Sequence, residues 1–168
     1  ATLHDGVSVV SQDAPTEILW GEESYEEELA EKTFSVSHNA FFQINTPATE
    51  EVIKTLSSLL VKKEGVLLDL FCGAGTLGIC LAEKDQKLIG IEIIEKAIAN
   101  AKKNAKKNHL ANAHFLAGDV GTLLPDVLEN NSIDTVLVDP PRAGLSRKAR
   151  KLLKHLPAKQ LLMVSCNP

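Results

Sequence analysis

No apolar run in the 168 residues approaches the length needed to span a bilayer, so the chain gives no reason to expect a membrane helix. Its opening residues, Ala1, Thr2, Leu3, His4 and Asp5, lack the basic-then-apolar order of a signal peptide. Cysteine is scarce. Cys72, Cys80 and Cys166 are odd in number and widely spaced, which argues against a disulfide framework and for a reducing, cytoplasmic setting. No two of them form a C-x-x-C pair, and the five histidines are scattered without ligand spacing, so a metal site is not expected. Repeats and low-complexity segments are also missing. Residues 1–31 hold nine acidic residues and no Lys or Arg. The net charge of −4 therefore hides an excess of +5 on residues 32–168, 18 basic against 13 acidic. That basic body is compatible with a nucleic-acid partner.

What is present reads as one α/β unit. Residues 1–32 look like the remnant of a preceding module or linker. Short strands are expected at Gly6 to Ser11 and Glu17 to Trp20, and Glu22 to Glu31 reads as acidic and solvated. Residues 33–168 form the main domain. Phe34 to Val36 and Phe41 to Ile44 suit strands or a packed hairpin. A helix follows from Pro47, with Val52, Ile53, Leu56, Leu59 and Leu60 at helical spacing. Glu50 and Glu51 near its start and Lys62 and Lys63 near its end would suit the macrodipole. Apolar strands are then expected at Val66 to Leu70, Leu88 to Ile91, Ala113 to Leu116, Ile133 to Val138 and Leu161 to Val164. Helices are expected from Leu77 and over Ile94 to Asn108. Strands apolar throughout and alternating with helices imply a parallel, doubly wound sheet covered on both faces.

Between the first of these strands and its helix lies Asp69-Leu-Phe-Cys-Gly73-Ala-Gly75-Thr-Leu-Gly78. Glycines there permit a tight turn and close approach of a ligand to the backbone. The spacing of Gly73, Gly75 and Gly78 fits G-x-G-x-x-G, so a nicotinamide dinucleotide competes. Glu92 ends the second strand about 20 residues on, where an acid can bind ribose hydroxyls in either case. Two details favour S-adenosyl-L-methionine. Asp69, Phe71 and Cys72 precede the first glycine, and D-x-x-C-G-x-G is similar to the first motif of class I methyltransferases. Asp119, after Gly118 and the third strand, matches the acid that commonly bonds the adenine amine in such enzymes; alternatively it is a turn-forming Asp.

Two further motifs bear on the reaction. Asp139-Pro140-Pro141-Arg142 follows the fourth strand, where methyltransferases acting on exocyclic base amines carry an N-P-P-Y-like motif. Here Asp replaces Asn and Arg replaces the aromatic. Ser165-Cys166-Asn167-Pro168 follows the fifth strand, and a cysteine at that end of a doubly wound sheet faces the ligand crevice. Carbon 5 of uracil is a poor nucleophile. A thiolate adding to carbon 6 makes an enolate whose carbon 5 can attack a sulfonium methyl. A lone cysteine is otherwise most often a small buried apolar residue. Cys72 and Cys80 are read in that way.

D-L-F-C-G-A-G-T, D-P-P-R-A-G and S-C-N-P occur in the order and spacing of the RNA (uracil-5-)-methyltransferases, and Phe41-Phe42-Gln43-Ile44-Asn45 resembles their F-x-Q-x-N segment. The resemblance runs from Phe34 to Pro168, about four-fifths of the chain. It implies a Rossmann-like class I sheet, here without its last strands, and S-adenosyl-L-methionine as cofactor. The implied cofactor contacts are Gln43, Phe71, Thr76, Glu92, Asp119 and Asp139, joined by Asp69, Gly73 and Gly75 of the turn. Cys166 is the implied nucleophile, and tRNA or rRNA the implied partner of a monomeric enzyme. The general base implied is a glutamate downstream of S-C-N-P. The 168 residues are thus expected to be part of a longer enzyme and not to turn over alone. Alternatives stay open: methylation of another base position, a non-catalytic cofactor- or RNA-binding module, and a dehydrogenase. Arg142 to Lys159 holds seven basic residues and no acid, with Ser146 as a candidate N-cap. It reads as an RNA-facing or a merely solvated helix.

Overall fold

The computed structural model describes residues 20–22, 24–37, 45–61 and 65–165. The segments Gly6 to Ser11 and Phe41 to Ile44, with Gln43, and the nucleophile candidate Cys166 lie outside them.

Mostly apolar runs build the central sheet. β3 (Val66–Leu70), β4 (Lys87–Glu92), β5 (Ala113–Ala117), β6 (Ile133–Val138) and β7 (Gln160–Met163) lie parallel in the order β5-β4-β3-β6-β7. Successive side chains enter opposite layers. Leu67, Leu88 and Leu137 pack on one face with α1 (Thr46–Leu59), α2 (Thr76–Leu81) and α3 (Glu95–Lys107). Leu68, Ile89, Val136 and Val138 pack on the other with α4 (Val120–Asn130) and α5 (Arg147–Lys154). Burial on both faces is why β3, β4 and β6 read as largely apolar runs, whereas the edge strands β5 and β7 leave Leu116, Leu161 and Met163 exposed, so the cover expected over all five strands stops short of the edges. From β3 the chain winds outward through β4 to β5, then crosses back to β6 on the other side. The strand order reverses between β3 and β6, and a crevice opens at such a point beyond the strands' carboxyl ends.

Several expectations change at the edges of this core. The acidic stretch is not simply solvated: β1 (Ser24–Leu29) pairs antiparallel with β2 (Lys32–Ser37), and Leu29 is fully buried. The boundary expected at residue 32 therefore falls inside a hairpin. Its loop, Ala30-Glu31, has φ of +48° and +63°, the two positive values that a two-residue type I′ connection requires. In α1, Asn45 is the N-cap and accepts from the Ala48 N–H at 3.2 Å. Glu50 and Glu51 consequently fall in the second turn, outside the reach expected of the macrodipole. Glu50 instead accepts the Ala30 N–H at 3.3 Å. Helix α4 contains Pro125 beyond its first turn, so sequence pattern does not assign it; Val120, Leu124 and Val127 hold it by burial. α5 forms as the sequence implies, with the Ser146 hydroxyl accepting the Ala149 N–H at 3.1 Å.

Candidate active site

The floor of the crevice is the turn joining β3 to α2. Phe71 and Cys72 both donate their N–H to the Ile91 carbonyl, at 2.9 and 3.1 Å, which folds the turn over the end of β4. Phe71 has φ +63°, unusual for a large side chain, and Gly73 (+52°) and Gly75 (+81°) continue the left-handed path. Gly75 opens α2 as a residue with no side chain to cap the helix. The cap comes from the strand instead. Asp69, almost fully buried, accepts the Gly78 N–H at 3.0 Å, satisfying a donor that the helix start leaves free. A Cβ on Gly78 would stand 2.7 Å from the same Asp69 oxygen. The third glycine is thus set by strand–helix contact, while a Cβ on Gly73 would meet nothing within 4 Å. Gly73 leaves open space where a ligand can approach the backbone.

Three carboxylates surround this turn. Glu92, at the end of β4, accepts the Gly73 N–H at 3.2 Å and the Ile94 N–H at 3.0 Å, one on each oxygen. A carboxylate has capacity for further donors, and Glu92 is 9% exposed. Asp139 follows β6 and is half-buried; burial pushes its carboxyl above the ordinary range. Burial also pushes Asp69 up to about 7, against the Gly78 hydrogen bond, with Asp139 and Glu92 adding like-charge repulsion. Burial raises both described thiols, Cys72 well above its usual value and Cys80 to about 12, so both are protonated near neutrality and suited to packing.

Asp69, Phe71, Gly73, Thr76 and Asp139 line one cavity together with Cys72, Ala74 and Leu77. Glu92 touches it through Gly73. Asp119 stands apart, exposed at the start of α4. Gly118 donates to the Glu92 carbonyl at 2.8 Å, which brings the end of β5 alongside β4. Thr122 donates to Asp119 at 3.0 Å. At the end of β7 the Val164 N–H donates to the Val138 carbonyl at 2.9 Å, so the chain entering the S-C-N-P motif leaves the sheet next to the strand that carries Asp139. One residue of the turn's surroundings escapes sequence reasoning. Asn104 of α3, fully buried, donates to the Ala74 carbonyl at 3.2 Å. Its only signal is a polar side chain within the apolar face made by Ala97, Ala101 and Ala105.

The family described as "Methyltransferase domain" matches residues 61–166, which include the turn, all three carboxylates and Asp119. The chain belongs to that family. A second family, described as "DNA methylase", matches residues 6–103. Among curated relatives, an uncharacterized RNA methyltransferase of Clostridium acetobutylicum is 35% identical over 99% of this chain and 36% of its own length. One from Listeria innocua is 41% identical over 91% of this chain and 34% of its own. The chain thus spans about a third of the length of these relatives. The solved tRNA (uracil-54, C5)-methyltransferase of Pyrococcus abyssi, bound to S-adenosyl-L-homocysteine, superposes with a TM-score of 0.78 at 32% identity. That match covers 98% of this chain and 40% of the other. The tRNA m1G37 methyltransferase of Methanocaldococcus jannaschii, at 21% identity and a TM-score of 0.56, shares the fold.

S-adenosyl-L-methionine is the cofactor of this methyltransferase fold, and the crevice suits it. Glu92 has acceptor capacity left beside the turn, and Gly73 leaves open space against it. Carboxylates at Glu92 and Asp139 beside the turn make a setting that favours a cationic ligand. The alternative of a nicotinamide dinucleotide falls with the family assignment.

Proposed function

We propose that this chain is the cofactor-binding and catalytic part of an enzyme that transfers a methyl group from S-adenosyl-L-methionine to carbon 5 of uridine in tRNA or rRNA. The observation that carries this is the sequence order: S-C-N-P follows β7, and the end of that strand at Val164 hydrogen-bonds to Val138, the residue before Asp139. Cys166 is the nucleophile in this reading, and Gln43 completes the cofactor contacts. The Cys166 thiolate adds to carbon 6 of the uracil. The electron pair this releases toward carbon 5 then takes up the sulfonium methyl, leaving S-adenosyl-L-homocysteine. A base removes the carbon 5 proton, and the thiolate departs as the double bond reforms. The resemblance assigns that base to a glutamate downstream of the motif. The RNA methyltransferase relatives and the uracil-C5 structural neighbour support the substrate class. The enzyme is proposed to act as a cytoplasmic monomer on structured RNA. No helix among the described residues is long and apolar enough to cross a membrane.

Methylation of an exocyclic base amine is the second reading, favoured by the DNA methylase match and by Asp139-Pro140-Pro141. That match stops at residue 103, short of the motif that would hold an amine. An amine also needs no covalent activation. RNA carrying 5-fluorouridine separates the two, because fluorine replaces the proton removed at the end of the cycle. The enzyme, in a polypeptide of the relatives' length, should form a covalent adduct that survives denaturing electrophoresis, and Cys166→Ala should form none. No adduct, together with activity in Cys166→Ala, would transfer the assignment to amine chemistry.

A further inference from the structure

We propose that Asn104 is a positioning residue that couples the β1–β2 hairpin to the cofactor turn, so that hairpin docking and ligand binding reinforce one another. The proposal rests on the reading of the crevice as the S-adenosyl-L-methionine site. The side-chain amide of Asn104 spans two distant segments. Its oxygen accepts the Ser35 N–H of β2 at 2.8 Å, and its nitrogen donates to the carbonyl of Ala74 at 3.2 Å. Ala74 lies between Gly73 and Gly75.

The bridge is specific. A two-stranded sheet leaves the outer edge of each strand without a strand partner, and buried backbone groups there need one. Asparagines one helical turn apart on α3 supply partners to the outer edge of β2. Asn108 accepts the Thr33 N–H at 3.0 Å and donates to the Thr33 carbonyl at 2.8 Å. Asn100 donates to the Ser37 hydroxyl at 2.9 Å. Of these three only Asn104 also reaches the turn. The turn itself holds two glycines in left-handed conformations and is tied from one side by Glu92. Asn104 ties it from the other. A ligand that immobilises the turn fixes the Ala74 carbonyl and thereby favours the docked hairpin. By linkage the docked hairpin raises ligand affinity by the same factor.

The test combines calorimetry with amide-resolved hydrogen exchange on the folded chain, with and without S-adenosyl-L-homocysteine. In the wild type the ligand should slow exchange of the Thr33 and Ser35 amides about threefold or more. Asn104→Ala should bind the ligand about two- to thirteenfold more weakly, the range that the net contribution of one hydrogen bond allows. It should also lose the ligand-induced protection of the hairpin while Gly75 and Gly78 remain protected. Asn108→Ala, which loosens the hairpin without touching Ala74, should leave that protection at Ser35. Should Asn104→Ala fail to fold, Ser35→Pro removes the hairpin's half of the bridge and should reproduce the loss at Thr33, the hairpin amide that this variant still reports. Hairpin exchange indifferent to ligand in the wild type overturns the proposal, as does full protection in the Asn104 variant, which would mean that the coupling bypasses Asn104. Failure of the wild type to bind the ligand at all would overturn the cofactor site itself.

Discussion

Replacing Glu92 by alanine should remove two contributions to cofactor affinity, and they can be separated. The direct one is acceptance of ribose hydroxyls. A hydrogen bond to a charged group contributes about 1.5–3 kcal/mol net, and Glu92 is buried enough that solvent screens it little. Water entering the vacated space recovers part of this. The indirect one is the tether on Gly73, whose N–H lies 3.2 Å from one carboxylate oxygen; its loss leaves a looser turn at about 1 kcal/mol. Together they predict a loss of about 2–4 kcal/mol, or about 30- to 1000-fold in Kd. Calorimetry with S-adenosyl-L-homocysteine measures the total. A ligand lacking the ribose 2′-hydroxyl isolates the direct part, because mutation and deoxygenation then remove the same interaction and their losses should fall short of adding. An affinity unchanged within twofold, or losses that add in full, would refute the assignment of Glu92 as the ribose acid.

Gly78→Ala should destabilise the domain by about 1–3 kcal/mol in chemical denaturation, despite the better helix propensity of alanine, because the new Cβ meets Asp69 and Leu88; a neutral or stabilising change would show that the contact relaxes freely. Asp69 sets a pH dependence. Its folded pKa of about 7 lies above the unfolded value near 3.8, so the folded state holds the extra proton between these values. Stability should therefore fall as pH rises from about 4 to about 7, by up to a few kcal/mol, and stay lower above that. Asp69→Asn should flatten the trend, and an identical profile in the variant would sink the argument. On α5, Lys148 leans over Gly121 and its ammonium reaches the Thr122 hydroxyl, which leaves Arg147, Arg150 and Lys151 free for phosphates. Replacing those three should weaken RNA binding regardless of sequence and reduce the salt slope by about two to three. An unaltered slope would make α5 a solvated face only.

The sheet and most of the crevice are legible in the sequence because both depend on local rules. The mostly apolar runs at Val66–Leu70, broken by Asp69, and Ile133–Val138, broken by Asp134 and Thr135, suit strands covered on both faces, and their observed bounds match the expected ones. The turn is legible because left-handed backbone at 73 and 75 calls for glycine. Glu92 and Asp139 could be picked out because they lie at the carboxyl ends of β4 and β6, whereas Asp119, picked by the same rule, stands exposed at the start of α4 and outside the cavity lining. Gly78 is legible too: in G-x-G-x-x-G the third glycine answers to close helix–strand packing, and here its neighbour is the Asp69 carboxylate.

The hairpin is hidden for a physical cause. A type I′ loop ordinarily announces itself with Asn-Gly or Asp-Gly, and here Ala30-Glu31 adopts the two positive φ values without them. Left-handed backbone costs roughly 1–2 kcal/mol for each such residue, so the loop must be held by contacts outside itself. Leu29, Phe34 and Val36 supply part of the hold by burial. The rest comes from side chains on a helix some seventy residues later in the chain, Asn104 and Asn108, which bond to the backbone of Ser35 and Thr33. Such partners leave no periodic trace, since any short amide would satisfy the helix pattern equally. They leave a chemical trace instead. An asparagine that interrupts an alanine face must find both a donor and an acceptor once buried, or cost the helix several kcal/mol. In α3 the two partners available to Asn104 are a strand edge on one side and the cofactor turn on the other. Asn104 thus shares in holding the hairpin, and in the proposed coupling it is the residue that links the hairpin to the crevice.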